Sequence, residues 1–121
     1  MSVHDEIRKH FLEACNIQEP VPLLDLVDLQ KTEWSVDFER LMRNRLTMGA
    51  VRYGRLGAAG KPQYDRVASI EKRLAAYVAT ENTEYLVDIA NLCLCEFVEG
   101  AHPLKHFASI DDGEHVWQKE T

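Results

Sequence analysis

No apolar run in the sequence is long enough to span a membrane, and its opening, MSVHDEIRKHFLEAC, holds no uninterrupted apolar stretch of the signal-peptide type. A cytoplasmic protein is the expectation. Cysteine is scarce. Cys15, Cys93 and Cys95 are the full set, which makes no disulfide framework. Cys93 and Cys95 stand two apart and point in different directions on a helix, so reduced, buried thiols are expected. A glycine-rich phosphate loop of the Walker type is also missing. RLGAAGKPQ contains Gly-Lys but lacks the glycine spacing and the hydroxyl after the lysine. No local Ser-His-Asp or Cys-His arrangement supports nucleophilic catalysis. No internal repeat, low-complexity segment or strand-like alternation stands out.

What is present is helical. A chain of 121 residues suits one domain with one core. Val3, Ile7, Phe11, Leu12 and Cys15 share a face, with Ser2 as the cap. Pro20 and Pro22 then interrupt. LLDLVDL, residues 23–29, suits a short helix or a strand, and helix is the favoured reading. Ser35 caps a long helix that reaches about Tyr53, with Phe38, Leu41, Met42, Leu46, Ala50 and Tyr53 inward and Gly54 as the stop. RLGAAGKPQ is the clearest loop. Helix resumes near Gln63 and runs to about Thr80, with Val67, Ile70, Leu74, Tyr77 and Val78 as its stripe. A further helix, capped by Asn82 or Thr83, runs to about Glu99, with Leu86, Ile89, Ala90, Cys93 and Phe97 inward. The tail is polar and loop-like, with room for one helical turn after Pro103. The expected fold is all-α, a bundle of about four main helices. Residues 1–33 form a helical extension, 34–100 the core and 101–121 the tail.

Charge is unevenly spread. The net charge is −6, yet from Arg40 to Arg73 nine cations face only Asp65 and Glu71, giving +7 there and −13 elsewhere. Such asymmetry marks either an anion-binding face or basic helices that neutralise acidic ends. Arg52, Arg55 and Lys61 flank flexible backbone and are the candidate anion ligands. Arg40, Arg43, Arg45 and Arg52 share a helix that offers a nucleic-acid contact, but the overall acidity argues against a broad footprint.

The stretch TEYLVDIANLCLCEF, residues 83–97, places Glu84, Asp88 and Asn91 at i, i+4 and i+7, with Cys95 one turn further. This polar line lies beside the apolar stripe. Two carboxylates one turn apart suit a hard divalent cation, and an amide can hold a water or a base edge. The alternative is a helix edge whose Asp88 pairs with an arginine, Arg45 or Arg52.

Glu84-Tyr85-Leu86-Val87-Asp88-Ile89-Ala90-Asn91 resembles the second metal-binding helix of the MazG-like, all-α nucleoside triphosphate pyrophosphohydrolases. Arg52-Tyr53-Gly54 resembles the KYG that closes a helix in related phage proteins. Glu96-Phe97, His102-Pro103, His106-Phe107 and Asp111 resemble the EF…HPxxHFxxxD of phage proteins. The resemblance implies a MazG-like bundle, a homodimer, Mg²⁺, and catalytic roles for Glu84 and Asp88. The E-x-x-E pair of that family is absent. Asp37 and Glu39 are two apart, and Asp65 and Glu71 six apart, so the carboxylate set is incomplete. A phage setting would place the protein in the host cytoplasm.

The tail gathers His102, His106, Asp111, Asp112, Glu114 and His115. His102 and His106 are one helical turn apart and are candidate ligands for a transition metal. The other reading has His106 or Phe107 anchoring the tail. Three functions remain in view. The first is a module that binds a nucleotide or other phosphorylated small molecule through Arg52, Arg55, Lys61, Asp88 and Asn91. The second is an Mg²⁺-dependent pyrophosphohydrolase. The third is an accessory or inhibitor that binds a host protein.

Overall fold

The computed structural model describes residues 3, 5–7, 9, 25–110 and 114–118. All regular structure among them is helical. They fall into two compact units, one formed by 35–105 and the other by chain on either side of it. Ser2, Phe11, Leu12, Cys15, Pro20 and Pro22 lie outside the described residues, as do Asp111 and Asp112. Val3, Asp5, Glu6, Ile7 and Lys9 are helical.

In the flanking unit, α1 (Leu26–Thr32) is the helix expected within LLDLVDL. Leu23 and Leu24 lie outside the described residues. Asp25 caps it by accepting the Val27 N–H at 3.0 Å, which satisfies a donor the first turn leaves free.

The central unit holds three helices. α2 (Val36–Tyr53) starts where Ser35 Oγ accepts the Phe38 N–H at 3.1 Å. It ends at Gly54, whose φ of 102° suits glycine alone. α3 (Arg66–Thr80) begins later than Gln63. Its cap is Asp65, which accepts the Ala68 N–H at 3.0 Å. α4 (Glu84–Glu99) begins after a turn in which Asn82 Oδ1 accepts the Glu84 N–H at 3.0 Å, while Thr83 makes no side-chain cap bond. Between α3 and α4, Glu81 takes a left-handed conformation at φ 60°. So short a connection makes them antiparallel neighbours. After α4 the chain makes one turn, with the Lys105 N–H donating to the His102 carbonyl at 3.0 Å, and no helix follows among the described residues.

α4 is the central element. It packs against α3 and against α2, and those two do not contact each other. Its inward face corrects the expected stripe. Val87 and Asn91 are the buried residues, Cys93 is exposed, and Phe97 is 69% exposed. Leu86, Ile89 and Ala90 are half-buried. The face turned toward the neighbours is therefore the line Val87, Asp88, Asn91 and Cys95, with polar groups in it. The neighbours supply the reason: Arg73 of α3 approaches Asp88, and the Met42 carbonyl of α2 accepts from Asn91.

The other helices show the same shift. On α2, Met42, Leu46 and Ala50 are half-buried, whereas Phe38, Leu41 and Tyr53 are exposed. On α3, Ile70 and Tyr77 turn inward beside Ser69 and Arg73, and Val67, Leu74 and Val78 are exposed. The expected burial of the cysteines is corrected likewise: Cys95 is half-buried and Cys93 is not. Cys15 lies outside the described residues. No described helix is long and apolar enough to cross a membrane.

Candidate functional site

α2, α3, α4 and the loop between α2 and α3 line an open cavity of about 530 Å³. Its wall follows α2 from Arg45 to Tyr53 and α4 from Asp88 to Glu99, so the loop closes the Tyr53–Glu99 end. That volume lies within the range of about 300–1,000 Å³ found for small-molecule sites.

The loop end is organised by Glu99 at the last position of α4. Its Oε2 accepts the Gly57 N–H at 2.7 Å and Lys61 Nζ at 2.9 Å, and its Oε1 accepts Arg66 Nη2 at 2.9 Å. Arg66 Nη1 also reaches Glu96 Oε1 at 3.5 Å. These side chains are well covered: Lys61 is 17% exposed, Arg66 14% and Glu99 11%. The Lys61 hydrogen bond, then the Gly57 N–H, holds the Glu99 carboxyl below its ordinary range, with the charges of Lys61 and Arg66 adding to this against the cost of burial. Gly57 sits at φ 80°, where glycine brings its N–H to the carboxylate without a Cβ penalty. A neighbouring thiol responds oppositely. Burial, and then the charge of Glu99, push Cys95 up, while Arg66 and Lys61 pull it back. Cys95 is therefore a protonated thiol at neutral pH, not a nucleophile.

At the other end, Arg73 Nε lies 3.9 Å from Asp88 Oδ2. The arginine that meets Asp88 comes from α3, not from α2 as the Arg45 or Arg52 reading has it. Arg45 instead pairs with Glu84. Asn91 is 8% exposed, and its Nδ2 donates to the Met42 carbonyl at 3.1 Å. Its Oδ1 is covered and has no hydrogen-bond partner.

Of the residues singled out from sequence, Arg52, Lys61, Asp88 and Asn91 line this one cavity. Arg55 does not; its carbonyl accepts the Ala58 N–H at 3.0 Å and shapes the loop. Glu84, His102 and His106 are not in the wall either. His102 Nδ1 accepts the Leu104 N–H at 3.1 Å, closing a local turn. Glu84 and Asp88 each face a guanidinium group, and no group of three or more His, Cys, Asp or Glu side chains gathers among the described residues. As placed, these carboxylates do not fit an Mg²⁺ site, which needs oxygen ligands converging on one point.

Sequence reasoning missed Arg66, Arg73 and above all Glu99. The signal was available. Glu99 continues the line Asp88, Asn91, Cys95 by one more helical turn. Comparison with models of known families, with curated proteins and with solved structures finds no match.

Proposed function

We propose that this protein binds a phosphorylated small molecule, a nucleotide in the first instance, in the cavity between α2, α3 and α4. One observation carries the reading. Five cations, Arg45, Arg52, Lys61, Arg66 and Arg73, line the cavity against two carboxylates, Asp88 and Glu99. Glu84 and Glu96, outside the wall, pair with Arg45 and Arg66, so the surplus comes down to one cation, Arg52, inside a chain whose net charge is −6. Arg52 alone among the five makes no ion pair within the described residues. Its guanidinium offers five N–H donors in a fork that matches phosphate oxygens. Lys61 and Arg66 keep donors to spare after meeting Glu99.

Binding is favoured over hydrolysis because Glu84 and Asp88 are held by arginines rather than directed at a shared point. The MazG-like ancestry, a homodimer and a cytoplasmic setting in a phage host belong to the same proposal and rest on the sequence resemblance.

The test is a thermal-shift screen of the purified chain against pyrophosphate and nucleotides, with and without Mg²⁺, with phosphate release read from the same wells. A ligand of the native state raises the midpoint by mass action. A shift without product release is the expected outcome. A shift accompanied by release makes the protein an enzyme. A flat response to every probe sinks the reading.

A further inference from the structure

We propose that two copies of this chain pair through the outer face of the α3–α4 hairpin, the side turned away from the cavity, so that each copy keeps a complete cavity of its own. The homodimer above rests on resemblance. The surface assigned here rests on the helices themselves and does not depend on the anion reading.

One flank of α4 carries Leu86, Ile89, Ala90, Cys93, Leu94 and Phe97, with no charged side chain among them. Cys93 and Phe97 are exposed. Cys93 stands two residues from Asn91 and from Cys95, and Phe97 two from Cys95 and from Glu99, which puts both on the far side of the helix from the cavity wall. On α3, Val67, Leu74 and Val78 recur at helical spacing, are 50–74% exposed and line no part of the cavity. Half-buried Ile70 and Ile89 lie between the two stripes and join them. These are stripes that the sequence marks for burial, and the single chain leaves them open.

The size of the face points to a second hairpin as its occupant. Helices of 15 and 16 residues are about 23 Å long, and side by side they span about 20 Å. The face therefore measures roughly 450 Å² in projection, a size that marks an interaction surface. Two such faces together withdraw roughly 1,000 Å² of accessible surface or more, as a specific interface needs. A single helix, about 10–12 Å across, covers half the width. A copy of the same hairpin matches it and closes a four-helix bundle. A two-fold axis lets the face meet itself, and its lack of charge means that no like charges are brought together. Glu71 stands exposed at its edge. The central unit also has the need. Among its described residues Val87 is the sole buried apolar side chain, and so small a core does not hold a domain of this length alone.

Sedimentation equilibrium of the full wild-type chain is expected to report two chains, with a urea midpoint that rises with chain concentration. Leu74→Glu and Phe97→Lys, tested singly, place an uncompensated charge in an apolar interface and should weaken pairing at least about a hundredfold. Val51→Glu, at an exposed position of α2 outside the face, should keep the two-chain mass. Thiol labelling gives a readout that a folding defect does not imitate. In the Val51→Cys chain, with the face intact, iodoacetamide should modify Cys93 at least about tenfold more slowly than the introduced thiol, read site by site by mass spectrometry. A monomeric wild type overturns the inference, whether Cys93 then reacts freely or is shielded by another part of the chain. So does a two-chain mass that survives both charge substitutions, or a Cys93 that labels as fast as the introduced thiol. Failure of pyrophosphate to bind removes the anion reading and leaves this interface standing, and a monomer that binds pyrophosphate does the reverse.

Discussion

Replacing Glu99 by glutamine keeps the side chain's shape and removes the charge at the loop end of the cavity. In the native chain that carboxylate meets two cations at 2.9 Å and a backbone N–H at 2.7 Å, and only 11% of it is exposed. Hydrogen bonds to charged partners contribute about 1.5–3 kcal/mol each, and stripping one member from a covered ion pair costs about 3–5 kcal/mol. The residual exposure of all three side chains admits solvent screening, so the lower end applies. We expect Glu99→Gln to lose about 3 kcal/mol at neutral pH, measured by urea denaturation. The loss depends on pH with a definite sign. The folded-state pKa of Glu99 is lowered, so its contribution is complete above the ordinary carboxylate value of 4.5 and fades as pH falls through the folded value. Wild type and variant therefore converge in acid. A second readout runs the other way. Lys61 and Arg66 are released from their carboxylate, so pyrophosphate should bind the folded variant more tightly. A loss below about 0.5 kcal/mol at pH 7, the level of an ordinary surface change, or a loss that is the same in acid, refutes the reasoning.

The other expected outcomes need less development. Glu81→Gly should raise stability by about 1 kcal/mol in the same denaturation experiment, because its left-handed φ of 60° strains any residue with a Cβ. Gly49→Ala should also stabilise by about 1 kcal/mol through helix propensity; a Cβ there meets nothing within 4 Å. Arg52→Ala should leave the denaturation midpoint within the spread of a surface change, about 0.5 kcal/mol, since no ion pair within the described residues is broken. Size-exclusion chromatography with light scattering should report the mass of two chains, and a single 13.9 kDa species would remove the homodimer from the proposal.

Much of the helix layout was legible because end signals are local. Ser35, Gly54 and Asn82 act within four residues of themselves, and each stands where the sequence marks an end. The α3 start was set too early because Gln63 and Tyr64 stay outside the helix and Asp65 is its cap. The faces were harder. The apolar stripe of α4 pointed to Cys93 and Phe97, yet the packed side contains Asp88 and Asn91. A polar inward face is recognisable only with its partners, and those are distant in sequence. Asn91 meets a carbonyl 49 residues away, and Glu99 meets groups 33, 38 and 42 residues away. Arg52, Lys61, Asp88 and Asn91 were found as separate local oddities, a cation by a loop or a polar group in an apolar run. Only the fold brings them to one wall.

That α2 and α3 touch α4 but not each other has a kinetic consequence. The α3–α4 hairpin joins neighbours in sequence and forms with little loop closure, whereas α2 is attached through a single partner. Lifting α2 from α4 breaks the Asn91–Met42 bond and the Arg45–Glu84 pair and leaves the hairpin whole. The least costly excursion of this unit is thus the one that unroofs the cavity. Amide protons of α2 should exchange with solvent deuterium faster than those of α4, and an occupant bridging the two helices should slow α2 most of all.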